Sequence, residues 1–364
     1  MATSQTFSCA NPPETLCLLR LSALGDITHV LPTLRTLQKN WPATKITWII
    51  GKSEYQLVKA IDNVDFIIFD KSAGVSSYPK LNKQIKQQLQ GKAFDVLLHM
   101  QLSLRASVAS LFIPAKIKLG FDKARAKDMQ SLFCNHQIKP DSTRQHVLDS
   151  FLEFPRYFDL EPLISWQLPV SQTAIDAMTK RLPMNESTRD KKLFVINACA
   201  VAKSKNWRNW TIEGYAAIAD FVSDKYDMQV ILTGGNSQLE IDTAKEILSL
   251  CKKSKPVNLV ASTSIDELVA ILHLANIVVA PDTGPVHIAS ALGTDTIGLY
   301  ASTNPDRAGP YNHQQFVVNK YPQALLKYNN KTVKDASWGE RIKTAECMAL
   351  ITVDDVIQQI EKIV

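Results

Sequence analysis

The sequence predicts two α/β domains, each a parallel sheet covered by helices. Three observations lead there. At 364 residues the chain is long for one domain and natural for two. Apolar runs that read as buried strands alternate with stretches of helical spacing through both halves, the pattern of a doubly wound sheet. Each half also holds one short loop that closes such a run and opens a helix: Ser22-Ala23-Leu24-Gly25-Asp26-Ile27-Thr28-His29, and Pro281-Asp282-Thr283-Gly284-Pro285-Val286-His287. In open α/β sheets ligands bind at such strand ends. Free N–H groups and the positive end of the helix dipole suit phosphate. The two domains are therefore expected to face each other across a cleft, the first loop placing a carboxylate there and the second an anion site.

The elements follow in order. Thr15–Leu21, TLCLLRL, is a continuous apolar run ending at a glycine-bearing turn, as in a central parallel strand. Ile27, Val30, Leu31, Leu34 and Leu37 then recur at helical spacing. Further strands are predicted at Lys45–Ile50, Val64–Phe69, Asp95–Met100 and Lys116–Gly120. A second series runs through Leu193–Asn197, Gln229–Thr233, Val257–Leu259, Ile277–Ala280 and Thr296–Leu299. Helical patterns at Thr211–Lys225, Gln238–Leu250 and Ile265–Ala275 separate its strands. The linker is expected within Leu160–Ser187, which carries Pro162, Pro169 and Pro183. The domains are set at 1–165 and 166–364, the last helix being a candidate to pack back on the N-terminal domain.

Composition narrows the function. A hydrophobic content of 45% supplies two cores, and 21% charged residues is ordinary for a soluble protein. Residues 1–13 lack the charged start and apolar core of a secretory signal. Ile265–Pro281 is the most apolar long stretch, but Asp266, Glu267 and His273 interrupt it, and it is too short to span a bilayer. Six cysteines are scattered without a C-x-x-C pair, which argues against zinc or a disulfide framework and fits a reducing cytoplasm. The net charge of +6 lies wholly in residues 1–165, with 20 Lys and Arg against 14 Asp and Glu; residues 166–364 hold 21 of each. Ten basic residues fall between Lys80 and Lys127, against Asp95 and Asp122. Such an excess is either a solvated face or a surface for a polyanion or an anionic membrane.

Several chemistries are missing. The chain has no G-x-G dinucleotide fingerprint and no G-x-x-x-x-G-K-[ST] phosphate loop. No two aspartates lie two apart, so the D-x-D metal clamp of many sugar-nucleotide enzymes is absent. A nucleotide phosphate would then rest on helix ends and basic side chains. Asp26, after Gly25, serves equally as a helix cap or as a carboxylate aimed at the cleft. Asp282 has the same two uses, and His287 falls one turn into its helix, as a packed residue or a ligand contact.

The segments LLRLSALGDITHVLPTLRTL (18–37), MQLSLRAS (100–107), KLGFDKARAKDMQSLF (118–133), KSKNW (203–207), LTGGNSQLE (232–240), PDTGPVHIASALG (281–293) and GLYASTNPDRAGPY (298–311) resemble glycosyltransferase family 9, the ADP-heptose:lipopolysaccharide heptosyltransferases. The paired S-x-x-G-D and D-T-G-x-x-H loops, in this order and separation, carry the resemblance. It implies a GT-B architecture of two Rossmann-like domains: an N-terminal acceptor domain and a C-terminal ADP-heptose domain. It also implies inverting, metal-independent transfer of L-glycero-D-manno-heptose to the Kdo or heptose inner core of lipopolysaccharide.

By that resemblance Asp26 is the base that takes the acceptor proton. Lys205, two before Trp207, neutralises the diphosphate, helped by Asp282, Thr283, Gly284 and His287. Ala200 and Val201 stand where the family often has hydroxyls. Gln238, with Glu240 two residues on, falls where relatives carry an acid that holds the ribose. Ser22, Gly25, Arg105, Lys123, Arg125, Lys127, Arg144 and His146 are the acceptor candidates. No cofactor, no metal and no nucleic acid is expected, and the enzyme is expected in the cytoplasm, docked peripherally on the inner leaflet. Competing readings are a nucleotide-sugar epimerase of the same fold and a non-catalytic nucleotide-sugar-binding protein. The basic N-terminal half favours a large anionic acceptor, which an epimerase does not need.

Overall fold

Leu16, Cys17, Leu18 and Leu19 are wholly buried, so β1 (Thr15–Leu19) is a central strand with both faces covered, as its unbroken apolar run requires. The computed structural model describes residues 7–140, 144–182, 191–200 and 207–364. The chain forms two units, Met1–Pro169 and Val170–Val364, each with one six-stranded sheet.

In the first unit β1 is joined by β2 (Lys45–Gly51), β3 (Val64–Phe69), β4 (Phe94–His99), β5 (Ala115–Gly120) and β6 (His136–Gln137). Their order is β3-β2-β1-β4-β5-β6, and every pairing is parallel. The chain runs outward one way from β1 and then the other way from β4. The switch point, where open sheets bind ligands, lies between these two strands. Register sets Leu16 beside Ile46 on one side and Val96 on the other, so Arg20 and Met100 leave the sheet at the same edge.

The second unit repeats the connectivity. Its strands are β7 (Leu193–Asn197), β8 (Gln229–Thr233), β9 (Val257–Asn258), β10 (Ile277–Pro281), β11 (Asp295–Tyr300) and β12 (Val318–Asn319). They are ordered β12-β11-β10-β7-β8-β9 and all run parallel. The switch point falls between β7 and β10, where Val279 pairs with Ile196. Together the two sheets give the doubly wound α/β class expected from the sequence.

The edge strands β6 and β12 have two residues each, too short for any periodicity. The helix Leu24–Asn40 buries Ile27, Val30, Leu31, Leu34 and Leu37, and Thr33 Oγ1 on it donates to the carbonyl of Phe151, 3.0 Å away. That bond ties it to the helix Val147–Arg156 and places the Phe151 ring near the end of β1. The last helix, Val353–Ile363, contributes to the second unit. Val356 and Ile360 on it are buried in the core of the second unit, and Lys225 pairs with Glu361 at 2.6 Å. Among the described residues no helix is long and apolar enough to cross a membrane.

Candidate functional site

In the first unit the loop after β1 is held by side chains from β4's end. Gln101 Oε1 accepts from the backbone N–H of both Leu21 and Ser22, each at 3.1 Å. The helix then starts at Leu24 with Ala23 as its cap, and an alanine offers no capping oxygen. Asp26, three residues on, reaches back instead: its Oδ2 accepts from Ala23 N at 3.2 Å. The same Oδ2 lies 2.5 Å from Arg20 Nη2. The capping use of Asp26 therefore leaves its carboxylate partly open. One oxygen is engaged, Oδ1 bonds to none of the described residues, and the side chain is 39% exposed.

Arg20 carried no motif and was not among the residues singled out from the sequence. Its signal was present: a cation at the end of a buried strand needs partners. Besides Asp26, its Nη1 donates to the carbonyl of Met100 at 2.7 Å, and its guanidinium carbon sits 5.1 Å from the centre of the Phe151 ring.

The acceptor candidates separate by environment. Gly25 is buried, its carbonyl accepting from Thr28 Oγ1 at 2.6 Å, and Ser22 is half-buried. Arg105, Lys123, Lys127 and Arg144 are exposed. Arg125 is committed to its own unit: Nε pairs with the buried Asp122, Nη1 donates to Gln145 Oε1 at 3.0 Å, and Nη2 donates to the Lys139 carbonyl at 3.0 Å. His146 is buried, and its Nδ1 caps the helix Val147–Arg156 by accepting from Leu148 N at 3.1 Å. Its ring meets His29 edge-on, centroids 5.2 Å apart.

In the second unit the loop after β10 opens the helix Gly284–Leu292. The cap is Thr283, not Asp282, and its side chain makes no capping bond. Thr283 Oγ1 is buried without a hydrogen-bond partner among the described residues, and so is Asn197 Oδ1 at the end of β7. Two unmatched polar atoms at one switch point fit a site for a polar ligand. Asp282 does not cap the helix start but pairs with a residue of its first turn. Its Oδ1 lies 3.5 Å from His287 Nε2, its Oδ2 lies 3.5 Å from Arg208 Nη1, and its backbone carbonyl accepts from Arg208 Nη1 at 2.7 Å. Burial alone would push the Asp282 carboxyl up. The hydrogen bond and charge of His287, the charge of Arg208 and a hydrogen bond from Thr303 outweigh it and bring the carboxyl down to about 2. Arg208, a second residue the motifs did not single out, thus fixes the loop at two points.

Glu240 and Gln238 sit at the start of the helix Gln238–Leu250, and they differ. Glu240 closes the glycine turn, accepting from Gly235 N at 2.7 Å and Ser237 Oγ at 2.6 Å. A Cβ on Gly235 would come within 2.9 Å of Glu240 Oε2, so a larger residue there would displace the Glu240 carboxylate. Gln238 is exposed and donates to Asp242 Oδ1 at 2.8 Å on its own helix. Beside Glu240, Ala198, Cys199, Leu232, Ala244 and Val260 line a small hollow of about 10 Å³, room for no more than a water molecule. Lys203, Lys205 and Val201 lie outside the described residues. Among the described residues no three His, Cys, Asp or Glu gather as a metal site.

Comparisons with known proteins agree in direction. The family model for glycosyltransferase family 9 (heptosyltransferase) matches residues 83–335. The lipopolysaccharide core heptosyltransferase OpsX of Haemophilus influenzae is 36% identical over 354 residues, covering 96% of this chain and 97% of that protein. Among solved structures, a family 9 glycosyltransferase from Veillonella parvula aligns with a TM-score of 0.77 at 19% identity, over 96% of this chain and 97% of that one. The E. coli ADP-heptose LPS heptosyltransferase II aligns at 0.73 with 18% identity, over 96% and 98%. Both support the GT-B fold. The extent of the family match and the identity to OpsX place this chain in glycosyltransferase family 9, and it is a glycosyltransferase.

Proposed function

We propose that the chain transfers L-glycero-D-manno-heptose from ADP-heptose to the Kdo or heptose inner core of lipopolysaccharide, with inversion and without a metal. The observation that carries this reading is Asp26: a carboxylate at the first switch point, with one oxygen engaged and the other unbonded among the described residues. The names of the relatives support the substrate class, since OpsX is a lipopolysaccharide core heptosyltransferase and the E. coli enzyme is named for ADP-heptose.

On this reading the acceptor hydroxyl gives its proton to Asp26 Oδ1 while its oxygen attacks the anomeric carbon of the heptose. The bond from that carbon to the diphosphate breaks, and its electron pair leaves on ADP. Attack opposite the leaving group inverts the anomeric centre. The departing charge is met by the helix start at Thr283 and Gly284, with the Thr283 hydroxyl as a donor, and by Lys205. His287, oriented by Asp282, faces the same ligand. Glu240, rather than Gln238, receives the ribose hydroxyls, because it is the carboxylate fixed at the glycine turn. Arg105, Lys123, Lys127 and Arg144 meet the acceptor's carboxylates and phosphates. The basic first unit docks at the inner face of the cytoplasmic membrane, each well-placed charge adding about 1 kcal/mol near an anionic surface.

The test is ADP release from ADP-heptose with Kdo-terminated and heptose-terminated acceptors supplied separately, followed by the anomeric configuration of the product. Release that depends on one of the two acceptors, with an inverted linkage, is expected. Turnover of ADP-heptose to a free epimer without acceptor would replace this reading with an epimerase.

A further inference from the structure

We propose that Arg20 is a positioning residue for the transfer: it fixes the Asp26 carboxylate so that one oxygen is held and the other faces the acceptor hydroxyl. The inference rests on Asp26 acting as the base.

The geometry is specific. Arg20 extends from the end of β1, and its side chain is 8% exposed. Its two terminal nitrogens diverge. Nη2 lies 2.5 Å from Asp26 Oδ2, and Nη1 donates to the Met100 carbonyl, 2.7 Å away at the end of β4. The Phe151 ring backs the guanidinium at 5.1 Å. The fork is thus anchored to the neighbouring strand before it touches the carboxylate. Asp26 Oδ2 takes a second bond from Ala23 N at 3.2 Å, so two donors from different directions fix the rotation of the carboxyl group. Only Oδ1 remains.

A purely stabilising arginine would be placed differently. Arg20 Nε is buried with no hydrogen-bond partner among the described residues. An unmet donor in a buried cation costs stability, and retaining it fits a side chain aimed at one place. The helix start needs only one acceptor for Ala23 N, which Asp26 would supply without the arginine. Lysine could not substitute fully. Its single ammonium is a point charge and cannot span carbonyl and carboxylate as a planar fork does.

The experiment measures kcat and both KM values for Arg20→Met and Arg20→Lys, each alone and combined with Asp26→Asn, alongside thermal unfolding. Misplacing a reacting group by about 1 Å costs roughly a hundredfold in rate. Arg20→Met should therefore lose about a hundredfold in kcat with both KM values within about threefold of wild type. Arg20→Lys should lose less. In the Asp26→Asn background neither change should lower turnover further, because residues that act through one group are not additive. If Arg20→Met fails to fold, Arg20→Lys decides by the same kcat, KM and additivity criteria. Wild-type kcat in a folded Arg20 variant would overturn the proposal. So would a full additional loss on top of Asp26→Asn, or a loss confined to KM. Near-normal turnover of Asp26→Asn alone would instead remove the base assignment on which the proposal stands.

Discussion

Asp282 and His287 face each other across the first turn of one helix, Oδ1 to Nε2 at 3.5 Å, with Arg208 on the other carboxylate oxygen at the same distance. This pairing holds the Asp282 carboxyl at about 2, below its ordinary 3.8. Its folded value is depressed, so the stabilisation is present above the unfolded value and is lost as pH falls through the folded one. A tenfold change in proton affinity is worth about 1.4 kcal/mol, so Asp282→Asn should cost on the order of 2 kcal/mol at pH 7. The gap between wild type and variant should shrink as the pH is lowered from about 4 towards 2. Urea unfolding of both proteins across that range checks it. A gap that is constant with pH would mean the carboxylate's charge is not what stabilises the loop.

Thr283 separates a ligand contact from a structural one. Its hydroxyl is buried and unbonded among the described residues, so Thr283→Val removes no bond of the free protein. Stability should stay level or rise. Hydrogen bonds to charged groups are worth about 1.5–3 kcal/mol, so the variant's donor KM or transition-state binding should worsen by roughly one to two decades. Calorimetric titration with ADP and donor kinetics measure it. Loss of stability with unchanged donor use would make the hydroxyl a structural element.

The basic residues of the first unit divide into two kinds. Arg105→Ala with Lys123→Ala should raise the acceptor KM and leave the donor KM nearly unchanged. Since exposed charges are screened over roughly 8 Å at physiological salt, acceptor use should weaken as salt rises. Arg125→Ala should behave otherwise, because it takes the paired cation from the buried Asp122 and leaves only backbone N–H groups on its carboxylate. That should lower stability by on the order of 3 kcal/mol. A donor KM that shifts with the surface pair, or an acceptor KM insensitive to salt, would contradict the assignment.

Metal independence has a direct check. ADP release should continue in excess chelator at its usual rate. Loss in chelator with recovery on adding magnesium would show that Lys205 and the helix start do not suffice for the diphosphate.

Much of this was legible in the sequence, for physical reasons. Strands buried on both faces are written as unbroken apolar runs, so β1, β7 and β10 were plain. The loops after β1 and β10 were marked by Gly25 and Gly284 beside short polar residues. Strand order was not legible, because it depends on which helix crosses which face. The partners of Arg20 and Arg208 were also hidden. Met100 lies 80 residues from Arg20 and Asp282 lies 74 from Arg208, distances that no local pattern encodes. The same blindness grouped Arg125 and His146 with the exposed cations. Only the fold reveals that one is tied to Asp122 and the other caps a helix.

The most direct measurement of the central claim is steady-state ADP release by Asp26→Asn in the presence of the accepted core acceptor. Asparagine keeps the size of the side chain and an oxygen for Ala23 N, but it cannot take a proton. General-base removal costs about two to four decades, so turnover should fall by that much while the variant stays folded and ADP binding stays close to wild type. Turnover within a few-fold of wild type in the folded variant would contradict the claim that Asp26 is the base.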